Sequence, residues 1–266
     1  MKRLLWADIA ARRRMIIGLA VGTAVFVVAL ASIEAIGGLS EIGQQAFGQA
    51  PPALSALAGS RSGFDVFTPL GLLAFAFNHP FFLALSLAIG VAIGTAAIAG
   101  DVETGRAQLW YTRPVPRHLI LRGRLMFWLL AQICVVVAGV AGGVLASLLS
   151  DSLGTAGAGV AVRAGVQFLP LALFVGALAF AVSAFAPTRA RALGRTLGIA
   201  FLAYLANFVS LLWSTAEPLR WITPFGYYDP LGVVSGIRWS DAVVLTAAAA
   251  GLVLIAHAGL ARRDLA

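Results

Sequence analysis

Between two long apolar runs, residues Ile98 to Arg117 form a polar, basic island with the side chains best suited to grip another molecule. Asp101 and Glu103 open it, Leu109, Trp110 and Tyr111 occupy its middle, and Arg113, Pro114, Pro116 and Arg117 close it. A connection that only reversed the chain would need a few Gly, Asn or Ser residues. Acids at the start and Arg113 near the end suit the dipole of a helix over 101–113. Pro114 must end that helix, and Pro116 can open the next from its first turn. Leu109, Trp110 and Tyr111 would be poorly used on a solvated loop. They suit either the headgroups of a bilayer or a groove on a protein partner, so the chemistry implied is contact and not catalysis.

Other chemistries lack their residues. A P-loop needs a lysine after its glycines, and Lys2 is the only lysine. No Gly-x-Ser-x-Gly elbow and no His-Glu-x-x-His occurs. His79, His118 and His257 lie on different elements, and Cys134 is the only cysteine, so no metal site or disulfide framework is expected. Catalytic residues, metal ligands and cofactors bound by this chain are all expected to be none.

The surroundings of the island set the class. Hydrophobic residues make up 60% and charged residues 11%, with a mean hydropathy of +0.92; soluble domains carry about a quarter charged residues. Six runs reach the ~20 apolar residues that cross a hydrocarbon core. They lie at about 15–36, 80–99, 123–149, 164–186, 196–214 and 241–259. Continuous apolar runs without alternation predict an all-α integral membrane protein, one transmembrane domain over 1–266. Residues 37–79 and 215–240 become outer segments, and 64–79 reads as an outer-surface helix leading into the second span.

Charge gives the orientation. With both termini, the 100–122 loop and the 187–195 loop on one side, that side holds 15 of the 19 basic residues against four acids. The other side holds four basic residues against seven acids. The positive-inside rule places the first side in the cytoplasm, so the net charge of +8 is no argument for nucleic acid. The apolar run after Arg14 is longer than a signal peptide's core, and an uncleaved anchor is expected. Leu5, Trp6 and Ile9 share a helical face, which suits an interfacial helix over 1–14.

Few charges fall within the bilayer, where ion-coupled carriers usually keep them. Tyr204, Asn207, Ser210 and Ser214 form one polar stripe on the fifth span. Such a stripe either joins helices or lines a pathway. Gly18 and Gly22, Gly90 and Gly94, Gly139 and Gly143, and Gly194 and Gly198 each have the four-residue spacing of close helix contacts.

The run from Ile98 to Arg117, with its acid, Glu-x-Gly, leucine and Arg-Pro-Val-x-Arg, resembles the signature of type-two ABC-exporter permeases. Trp221 to Pro230 resembles the aromatic outer segment before the last span of that family, and the six spans and basic N-terminus agree. Trp110 and Tyr111 stand where aliphatic residues are usual, and Arg122 or Arg124 stands near a common lysine. The resemblance implies the permease subunit of an ATP-driven exporter, in which two permease copies (homodimer or heterodimer) pair with two ATPase subunits; the alanine- and arginine-rich, lysine-poor composition suggests a bacterial inner membrane. ATP and Mg would be bound by the partner ATPase. Residues 101–113 would be the coupling helix seated on it, with Asp101, Glu103, Gly105, Leu109, Trp110, Tyr111, Arg113 and Arg117 as coupling residues. The N-terminal helix would be an elbow, and the Tyr204–Ser214 stripe a pathway or dimer face. A stand-alone carrier or channel, or a membrane scaffold without a transported substrate, remain as other classes.

Overall fold

A computed structural model describes residues 2–37, 42, 45, 66–107 and 116–263. Every element is helical, and no strand occurs among the described residues. The elements are α1 (Lys2–Gly37), α2 (Pro69–Ala76), α3 (Pro80–Thr95), α4 (Arg117–Leu149), α5 (Gly154–Phe185), α6 (Arg189–Leu212) and α7 (Trp239–Arg262). Short 3-10 turns fill the segment between α6 and α7. Among the described residues, six helices are long and apolar enough to cross a membrane: Ala10–Ser32, Pro69–Glu103, His118–Leu149, Gly154–Phe185, Arg189–Leu212 and Trp239–Arg262.

Two of these boundaries differ from the sequence reading. Residues 2–37 form one helix with no break at Arg14. The segment read as an outer-surface helix is instead α2, whose Leu72, Leu73, Ala74 and Ala76 are buried. Thr68 caps it by accepting from the Gly71 amide at 3.0 Å, and Pro69 opens it. Its apolar residues cover both faces, so it is driven into the bundle and does not lie on it.

α5 is the axis of the bundle, with α2, α3, α4, α6 and α7 packed around it, while α1 lies against α4 and α3. Near one end Phe77, Phe82, Phe168 and Tyr228 meet one after another, tilted or edge-on. Towards the other, Trp128 packs on Phe180 among Ile89, Ile93 and Leu260. Close approach between helices uses the missing Cβ of glycine: a methyl on Gly94 would lie 2.6 Å from the Ala179 Cβ and 3.0 Å from the Phe180 amide. Gln132 donates to the Ser86 carbonyl at 2.9 Å and joins α4 to α3 within the apolar core.

One end is closed by the segment between α6 and α7. Arg163, in the N-terminal third of α5, donates to the Val233 and Val234 carbonyls at 2.7 and 3.2 Å. Gln167 brackets Arg238, donating to its carbonyl at 3.4 Å and accepting from its amide at 3.2 Å. Asp229 accepts from the Gly232 amide at 3.0 Å and pairs with Arg238 at 3.5 Å. The Tyr228 hydroxyl donates to the Phe77 carbonyl at 3.0 Å, pinning this segment to the turn between α2 and α3.

Burial, and then the adjacent Asp229 charge, push the Tyr228 phenol well above its ordinary value of 10.0. A raised value makes its contribution complete below about pH 10 and progressively lost above it, because the unfolded phenol ionises first. Unfolding in detergent is therefore expected to show an alkaline loss of stability approaching 1.4 kcal/mol per pH unit above about pH 10. Tyr228→Phe should flatten that limb, and an unaltered limb would show that another group titrates there.

Candidate functional site: the arginine-rich end

At the opposite end α3 does not stop at Thr95. It passes through a π-helical turn over Ala96–Gly100 and one last α-helical stretch, Asp101–Glu103. A π turn carries one extra residue and forms where something enters the backbone ladder. Here the intruder is Ser183 of α5. Its hydroxyl accepts from the Ile98 and Ala99 amides at 3.3 and 2.9 Å and donates to the Thr95 carbonyl at 3.1 Å.

This geometry moves Asp101 and Glu103 to the C-terminal end of the second span, not to the N-terminus of a new helix. Negative charge there opposes the helix dipole, so each acid needs a compensating partner. Asp101, only 6% exposed, pairs with the Arg124 guanidinium from α4, which also donates to the Ala97 carbonyl of the π turn. Arg12 of α1 donates to the Ala92 carbonyl at 3.4 Å. Arg12, Asp101, Arg106 and Arg124 together line a small polar cleft.

Glu103 reaches a different helix. Its carboxylate accepts from the Arg189 amide, the first of α6, at 2.8 Å. Thr188 caps the same helix by accepting from the Arg191 amide at 3.3 Å. Two of the four unsatisfied N–H groups at this helix start are thus covered, one of them by a residue 86 positions away. The stretch Glu103-Thr-Gly105 then has a physical logic. Gly105, at φ +70°, adopts the left-handed conformation that ends α3 while Glu103 holds α6. Arg263 completes the arrangement, donating to the Ser183, Ala184 and Ala186 carbonyls at 3.2, 3.1 and 2.9 Å, where a cation suits the C-terminal end of α5.

Between α3 and α6 runs an apolar groove of about 580 Å³. Leu87 and Val91 form one wall and Leu197 and Phe201 the other, with Arg189 at one end and Tyr204 at the other.

A family model described as "ABC-2 family transporter protein" matches residues 3–265. The chain belongs to the ABC-2 transporter family. No curated protein matches it. Membership makes the chain a multi-pass membrane component of an ABC transporter, a permease that is not itself catalytic.

Within this ABC-2 permease the expected residues separate. Asp101 meets α4 and Glu103 meets α6 at the arginine-rich end, while Gly105 turns the chain after them. Arg117 is the first residue of α4; Leu109, Trp110, Tyr111 and Arg113 lie outside the described residues. The fifth-span stripe is split. Asn207 and Ser210 are buried, and the Ser210 hydroxyl donates to the Asn207 carbonyl of its own helix at 2.6 Å. Tyr204 borders the groove and meets Phe225 edge-on at 5.4 Å, while Ser214 is exposed. Four contributors escaped the sequence reading as site residues: Arg124, Ser183, Arg189 and Arg263. Only Arg124 left a signal, as a charge just inside a span with acids at the end of its neighbour.

Glu103→Ala in the ABC-2 permease is expected to cost about 1 kcal/mol locally, the usual worth of a lost cap acceptor. Amide exchange at Arg189 should quicken, whereas Glu103→Gln, still an acceptor, should keep most of the protection. Equal exchange in all three proteins would mean that Glu103 does not hold α6.

Proposed function

We propose that this chain is the membrane half of an ATP-driven exporter, working as a dimer of permeases with two separate ATPase subunits. The arginine-rich end faces the cytoplasm of a bacterial cell, the ATPase docks on the 101–113 loop, and the N-terminal stretch frames that contact. ATP and Mg stay with the ATPase.

One observation supports leverage in particular. The residues that lead into the loop bond to two different spans, Asp101 to α4 and Glu103 to α6. A push on the loop would therefore be shared between α3, α4 and α6, and would change the spacing of α3 and α6 across the groove. The outer segment from Trp213 to Arg238 lies on the far side, tied to α5 by Arg163 and Gln167.

Recovery of the tagged chain from its native membrane in mild detergent tests this reading. A nucleotide-binding subunit should accompany it in equal amount and hydrolyse ATP, and Trp110→Ala with Arg113→Ala should release that subunit while insertion of the chain stays normal. Recovery of the chain alone, without hydrolysis, would overturn the reading in favour of a stand-alone carrier or a scaffold.

A further inference from the structure

The groove between α3 and α6 has a shape and a charge that together select an occupant. From Arg189 to Tyr204 it follows fifteen residues of α6, or ~22 Å at 1.5 Å per residue. An extended hydrocarbon chain fits that length, and it would meet Leu87, Val91, Leu197 and Phe201 along it.

The ends differ. Tyr204 and Phe225 close one end with aromatic faces. At the other, the stem of Arg189 passes beside Gly100 (3.6 Å from the position of an alanine Cβ), and Arg189 is exposed. Its backbone amide is taken by Glu103, yet its guanidinium makes no ion pair among the described residues. No acid is among the described residues that line the groove, and the Glu103 carboxylate at this mouth is held on the Arg189 amide. An apolar slot with a cation at one mouth is complementary to a single aliphatic chain with an anionic head.

We propose that this groove binds a single-chain anionic amphiphile, its carboxylate or phosphate on Arg189 and its chain along α6 towards Tyr204. As a binding site the groove stands independently of the exporter reading; as the site of the transported substrate it rests on that reading.

The test uses the full chain in phosphatidylcholine nanodiscs, with 11-(dansylamino)undecanoic acid as the fluorescent probe and empty discs as background. Saturable binding of one probe per chain is expected. Dodecanoate and dodecyl phosphate should displace it at least tenfold more strongly than dodecyltrimethylammonium. One-chain lysophosphatidic acid should compete where two-chain phosphatidic acid does not. Arg189→Glu should reverse the preference for head charge, with Arg189→Gln merely abolishing it, and Leu197→Trp should weaken every competitor by narrowing the slot. Equal displacement by all heads, competition by the two-chain lipid, or indifference to Leu197→Trp would overturn the proposal. So would efficient disulfide formation between two copies carrying Leu197→Cys, which would make a second chain the occupant. Amphiphile binding without any co-purifying ATPase would leave this site standing and remove the exporter reading; a coupled ATPase without amphiphile binding would do the reverse.

Discussion

Replacing Arg124 with methionine is expected to destabilise the bundle by about 3 kcal/mol, the lower end of the range for removing one partner of a buried ion pair. The lower end applies because the Arg124 side chain keeps 18% exposure against 8% for Asp101. Without Arg124 the Asp101 carboxylate would stay buried at the C-terminal end of the second span, where the helix dipole already opposes a negative charge. The Ala97 carbonyl of the π turn would lose its donor as well. Asp101→Asn combined with Arg124→Met removes both charges and should recover most of the loss, since a buried pair costs much of its attraction in desolvation. Thermal unfolding in detergent, followed by size-exclusion chromatography, reads the parent and both variants. A single Arg124→Met variant as stable as the parent would show that the pair carries no weight.

The second large effect is expected at Gly142. A methyl there would lie 2.6 Å from the Ala24 carbonyl oxygen and 3.0 Å from the Ala24 Cα, so the obstacle is backbone and cannot rotate away. Lipid tails are as apolar as the residues between the helices, and α1 is held to α4 chiefly by closeness of packing. Gly142→Ala should cost about 1–3 kcal/mol as overpacking, and Gly142→Leu should separate α1 from the bundle and expose it to protease in detergent. Gly194→Leu and Gly198→Leu are the controls: a Cβ at either meets nothing within 4 Å, and both should be tolerated. Tolerance of Gly142→Leu as well would mean that α1 does not approach α4 so closely.

These glycines mark how far sequence spacing reaches. Of the four pairs with helix-contact spacing, Gly90 with Gly94 and Gly139 with Gly143 lie against other helices, whereas Gly18, Gly194 and Gly198 face open space. Spacing places two glycines on one face, but which face meets a neighbour is decided by the whole bundle. The number of spans was legible because hydrocarbon demands length and apolarity in each run by itself. The acids were misplaced for the converse reason. Asp101 and Glu103 read naturally as the start of a helix, because their partners Arg124 and the Arg189 amide lie 23 and 86 residues away. The π turn that carries them there depends on a serine in another helix, Ser183, whose apolar surroundings in the sequence give no sign of that role. In α2, short and opened by Pro69, the sequence shows apolar residues on both faces but not which neighbours bury them.

In the proposed exporter the loop's leading residues transmit ATPase movement to the groove between α3 and α6. Spin labels at Ala84 and Leu197, on opposite walls of the groove, would measure that spacing in the reconstituted permease and its ATPase, with and without trapped ATP. The distance is expected to change on ATP trapping in the parent and to change less in Glu103→Ala. A distance that stays fixed while ATP is hydrolysed and substrate moves would contradict this transmission.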